Sequence, residues 1–126
     1  MAKTYAYDDQ NIFAKILRGE IPNDTVLETE HSLAFRDIQP QAPVHVLVIP
    51  KGPYVCYDHF ALEASDAEIA DYTRAIGKVC EMEGVQDAGF RLISNAGEAG
   101  VQEVPHLHVH ILGGRRLGRM LQPARD

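Results

Sequence analysis

Apolar residues recur at helical spacing directly after Asn11: Ile12, Phe13, Ile16 and Leu17 share one face of a short helix. Asn11 is placed to cap it, Gly19 to end it, and Pro22 forbids continuation. Two short extended runs follow, Thr25–Thr29 and Ser32–Arg36, with Glu30 and His31 as an exposed hairpin turn. A proline-bearing loop, Gln39 to Pro43, leads to Val44–Ile49. That run is rich in β-branched residues, apolar on both faces, and stopped by Pro50, Gly52 and Pro53, so it reads as a central strand. His45 breaks the pattern on the side shared with Leu47 and Ile49, where a polar ring must find a partner. Tyr54–Leu62 has no clear period, and His59 within it reads as a surface or turn residue. Ser65 with Glu68 forms a capping box for the longest helix, whose stripe is Ile69, Tyr72, Thr73, Ile76, Val79 and Cys80 and whose end is Gly84. Gly89–Ser94 and His106–Leu112 read as strands on either side of a polar loop, Asn95–Pro105. The sum is an α+β fold, a mostly antiparallel sheet with two helices.

Composition narrows the function. A chain of 126 residues with 45% hydrophobic and 24% charged content is globular and of one-domain size, with residues 10–114 as core and 115–126 as an arginine-bearing tail. A net charge of −6 argues against a duplex nucleic acid as partner. No run is apolar enough to span a bilayer, and Met1–Gln10 lacks the layout of a secretory leader. Cys56 and Cys80 read as free buried thiols, which suits a reducing cytoplasm.

The chemistry sits in His106, His108 and His110, which alternate with Leu107, Val109 and Ile111. On an extended segment this puts three imidazoles in a row on one face, neighbours roughly 6–7 Å apart, with the aliphatics facing the core. Three such rings are costly to bury without partners, so packing alone explains them poorly. Two uses compete. The rings could ligate zinc, with His45 as a third ligand, although no carboxylate or thiol stands at ligand spacing beside the row. Alternatively, a neutral imidazole nitrogen attacks phosphorus while its neighbours bind the phosphoryl oxygens. The preceding loop favours phosphorus chemistry: Ser94, Asn95, Gly97, Gly100, Gln102 and Glu103 offer backbone and side-chain groups to an oxyanion. Asp37, just beyond Phe35, is suited to accept hydrogen bonds from ribose hydroxyls beside an aromatic wall. A P–N bond breaks well only when its nitrogen is protonated, which histidines titrating near neutrality would supply.

The run His106-Leu107-His108-Val109-His110-Ile111-Leu112 resembles the signature of the histidine triad (HIT) family. Phe13 to Pro22, Leu33 to Lys51, Phe90 to Asn95 and Gln102 to Gly114 are similar to its Hint branch, and Gly113 to Leu121 to bacterial members. The resemblance implies a homodimer with one continuous sheet and binding of purine nucleoside monophosphates. It implies hydrolysis of nucleoside phosphoramidates and aminoacyl-adenylates; no cofactor or metal is expected, since protonated imidazole and backbone donors can neutralise the phosphoryl charge. His108 would be the nucleophile, His110 would hold phosphoryl oxygens, and His45 and His106 would complete the network that sets the nucleophile's tautomer. Asn95 and Gln102 would contact phosphate, Asp37 the ribose, and Phe13, Phe35 and Ile38 the base. Glu103 stands where familiar eukaryotic members carry a serine serving the leaving group, and Val101 where they carry glycine. A dinucleoside polyphosphate hydrolase and a non-catalytic nucleotide- or zinc-binding interaction protein are the alternative readings.

Overall fold

The computed structural model describes residues 3–123. Helix α1 (Ile12–Leu17) precedes strands β1 (Thr25–Glu28), β2 (Ser32–Arg36) and β3 (Val44–Pro50). Helices α2 (Tyr57–Glu63) and α3 (Asp66–Met82) follow, then β4 (Phe90–Ile93) and β5 (Val109–Gly113). The strands form one antiparallel sheet in the order β1-β2-β3-β5-β4, with β3 and β5 at its centre.

Both expected caps are formed. The Asn11 side chain accepts from the Phe13 and Ala14 N–H groups, and Ser65 and Glu68 close a reciprocal capping box. Gly19 and Gly84 follow their helices with φ of +77° and +68°. α3 covers one sheet face with Tyr72, Ala75, Val79 and Cys80, meeting Val46, Val48, Leu107, Val109 and Ile111. α1 covers part of the other, where Phe13 and Ile16 meet Leu33, Phe35, Leu47 and Ile49.

Four expectations need correction. There are three helices, not two: α2 forms inside the stretch without a clear period, from an N-cap, Cys56, that makes no side-chain capping bond. His59 is buried in α2; its Nδ1 accepts from the Val55 N–H and its ring stacks on Tyr5 at 4.4 Å. Thr73 is exposed on α3 and Ala75 takes the core position. His31 is in the turn but half-buried.

β5 also begins later than the alternation suggested, at Val109, so His106 to His108 precede the ladder. Its register on β3 pairs Val48 with Val109, so Pro50 would face Leu107. Proline has no N–H to offer, and the Leu107 N–H donates to the Tyr54 carbonyl instead. On the other side β4 ends at Ile93, opposite His110, and Gly97 turns with φ +68°. The alternation of side chains survives the loss of the ladder: Leu107, Val109 and Ile111 all lie in the α3-side core.

Candidate active site

A cleft of about 430 Å³ opens on the α1 side of the sheet. His45 from β3, His110 from β5 and His108 just ahead of β5 reach it, as do Phe13 from α1 and Phe35 from β2. Asp37, Ile38, Asn95, Val101 and Glu103 also line it. His106 is fully buried behind this surface and is not a lining residue.

The hydrogen bonds assign each ring a proton. His108 Nδ1 lies 2.8 Å from the His106 carbonyl oxygen, which can only accept, so Nδ1 carries the hydrogen and Nε2 the lone pair. His45 Nδ1 accepts from the Gln41 N–H at 3.1 Å, so its proton is on Nε2, 2.9 Å from His110 Nδ1. His110 Nδ1 therefore accepts and its Nε2 bears the hydrogen. His106 Nε2 donates to the Pro50 carbonyl at 2.8 Å, which leaves its Nδ1 as an acceptor, 2.5 Å from the Tyr7 hydroxyl. Adjacent rings thus face the cleft in complementary states: His108 offers a lone pair and His110 an N–H, their centroids 5.0 Å apart. Phe13 presents its ring nearly perpendicular to His108, centroids again 5.0 Å apart.

Burial favours the neutral form of each of these rings. It pushes His106 down to about 4 against the pull of the Pro50 carbonyl. His110 also falls to about 4, through burial and then the neighbouring His108 and His45 rings. His108 and His45 are lowered too, mainly by burial, with Asp37 opposing in both. His110, the ring nearest the expected acid role, is thus held well below neutrality, whereas the leaving-group proton was expected from histidines titrating near it.

The other expected residues divide. Phe35 is buried and forms an aromatic wall with Phe13, while Ile38 is 90% exposed at the rim. Asp37 Oδ1 accepts from the Gln39 N–H, and its Oδ2 lies 3.4 Å from His45 Nε2. Gln102 is outside the lining: its amide nitrogen donates to the Val55 and Val104 carbonyls and its oxygen accepts from the Gly97 N–H. Arg91 donates to the Gly118 and Arg119 carbonyls and so holds the start of the tail, whereas Arg125 lies outside the described residues.

Asp37, His45 and His110 present ligand atoms within 4.8 Å of one another. Two nitrogens on one tetrahedral zinc at the usual bond length would stand roughly 3.3 Å apart. The 2.9 Å between His45 Nε2 and His110 Nδ1 fits a shared proton better.

Residues 18–117 match the model of the HIT domain family. The chain belongs to the HIT family. It is 60% identical over 121 residues to a HIT-like protein of Azospirillum brasilense, covering 96% of this chain and 98% of that one. It is 43% identical over 113 residues to the purine nucleoside phosphoramidase of Escherichia coli K12, covering 90% and 94%. A HIT family hydrolase from Clostridium thermocellum superposes with a TM-score of 0.80 at 39% identity, covering 90% of this chain and 98% of that one. Tyr7 lies ahead of the matched HIT segment, and no periodicity or spacing signalled that it touches the triad from 99 positions away. Asn11, read only as a cap, also donates to Tyr7.

Proposed function

We propose that this HIT protein is a phosphoramidase that hydrolyses purine nucleoside 5′-phosphoramidates and aminoacyl-adenylates through a nucleotidyl-His108 intermediate. The observation that carries the reading is the pinned His108 ring, whose Nδ1 is spent on the His106 carbonyl and whose Nε2 is left unprotonated in a ring lining the cleft. The 43% identity to the Escherichia coli purine nucleoside phosphoramidase supports the substrate class.

A phosphoryl anion beside His110 raises its proton affinity, reversing the effect of burial, and the ring takes up one proton from solvent as the substrate binds. His108 Nε2 bonds to phosphorus as the P–N bond breaks, and the nitrogen leaves with a proton from His110. Water then adds to phosphorus, the bond to Nε2 breaks, a proton returns to His110, and the nucleoside monophosphate departs. Asp37 serves the ribose, Phe13, Phe35 and Ile38 flank the base, Asn95 contacts phosphate, and Glu103 lines the leaving-group end. Gln102 acts by holding the loop, since its amide is occupied by main-chain groups. His45 sets the proton on His110 and His106 sets that on His108. The enzyme acts in the cytoplasm as a dimer joined through the β4 edge, where Phe90 and Leu92 are 42% and 47% exposed.

Mass spectrometry after brief mixing with adenosine 5′-phosphoramidate tests this. The expected result is one added nucleotidyl mass on the peptide holding His108, lost in His108→Ala, and native spectra at twice the chain's mass. Turnover that persists in His108→Ala removes the mechanism. A large preference for a diadenosine polyphosphate moves the enzyme to the dinucleoside hydrolase class.

A further inference from the structure

The segment ahead of α1 is fastened on both sides of Tyr7. Tyr5 stacks on His59 at 11° between planes and its hydroxyl donates to Asp58, while Asn11 caps α1. Between these anchors, the Tyr7 oxygen accepts from the Asn11 amide at 3.0 Å. With that lone pair engaged, the Tyr7 hydrogen is directed at His106 Nδ1, 2.5 Å away. Burial raises Tyr7 above its ordinary value, so the hydroxyl keeps that hydrogen at neutral pH. The His106 ring is fully buried and has two nitrogens to satisfy. Its Nε2–H meets the Pro50 carbonyl, which requires Nδ1 to accept, and Tyr7 is the donor it accepts from.

We infer that Tyr7 is a positioning residue for the hydrolytic site: by donating to His106 Nδ1 it clamps that residue between Pro50 and the amino-terminal segment, and so steadies the His106 carbonyl that orients His108. The inference rests on the hydrolase reading for its kinetic consequence but not for its structural one. Without the hydroxyl, His106 Nδ1 is a buried acceptor with no donor, and the ring gains by swapping tautomer or turning away from Pro50. Either movement shifts the carbonyl beneath the His108 ring.

Tyr7→Phe keeps the ring and removes only the donor. Its expected kcat on adenosine 5′-phosphoramidate is about tenfold lower, the net size of one hydrogen bond, with KM unchanged. Nitrogen-15 spectra of the imidazoles in the substrate-free protein read the positioning directly. His106 Nδ1 should move toward an unbonded acceptor, and His108 should become a mixture of tautomers. Tyr7→Leu should match Tyr7→Phe in both respects, and thermal melting checks that both fold. Wild-type kcat and a single His108 tautomer in Tyr7→Phe overturn the inference, as does a defect confined to Tyr7→Leu, which would mean packing alone. If the wild type turns over no phosphoramidate, the hydrolase reading fails, and the His108 tautomer ratio still decides the role of Tyr7.

Discussion

The two faces of the central strands follow different rules. Toward α3, Leu107, Val109 and Ile111 meet Val46, Val48 and Val79, and shape and volume are all that matter. Toward α1, His106, His108 and His110 come from the same few residues of chain, yet each is decided by a separate polar partner: Pro50 and Tyr7, the His106 carbonyl, and His45. One alternating motif thus becomes a generic core on one side and three distinct chemical groups on the other. The lesson is that the row of rings is not three copies of one site.

Breaking the apolar face should have the largest effect on stability. Ile111 is fully buried, and Ile111→Ala should cost about 3–4 kcal/mol in denaturant unfolding, with turnover per folded molecule kept. A loss of turnover beyond the folded fraction would mean that the faces are coupled. The polar face should titrate where the apolar one does not. His106 takes its proton near 6.5 when unfolded and about 4 when folded. Between those values the unfolded chain binds the extra proton, so stability is complete above about 6.5 and falls as pH drops toward about 4. The full cost from this ring is about 3 kcal/mol. Urea unfolding at pH 7 and 4.5 reads this loss together with that of His110, which is also lowered to about 4, and equal midpoints would contradict the buried neutral rings.

The smallest effect sharpens the contrast at the rim. Val101, at φ +57°, is the non-glycine residue with positive φ among the described residues, and it lines the cleft. Val101→Gly should raise stability by about 0.5–1 kcal/mol, left-handed strain relieved less the added freedom of the unfolded chain. A destabilised variant in thermal melts would show that the valine side chain holds the loop.

Much of this was legible in the chain. α1 and α3 carried local signals, a cap, a stripe and a terminating glycine, and β2 fell where its extended run put it. α2 was illegible because Cys56 gives no capping bond and the buried His59 looks like a surface residue. The late start of β5 was hidden because Pro50, which cannot continue the ladder toward Leu107, lies far away in sequence. In the site, the rings, Phe35 and Asp37 were readable from type and spacing, and Phe13 from the family resemblance. Gln102 was misplaced because its main-chain partners exist only in the folded loop, and Tyr7 stands in a polar stretch without a pattern.

The brevity of β4 has a consequence for anyone moving the three rings to another scaffold. Continued past Ile93, that edge would run its main chain alongside His108 and then His106, offering amide hydrogens to the oxygen that His108 now holds. That oxygen would then serve two donors, and the bond that places the hydrogen on His108 Nδ1 would be weaker than in this truncated arrangement. Transplanting the motif therefore means transplanting the gap beside it.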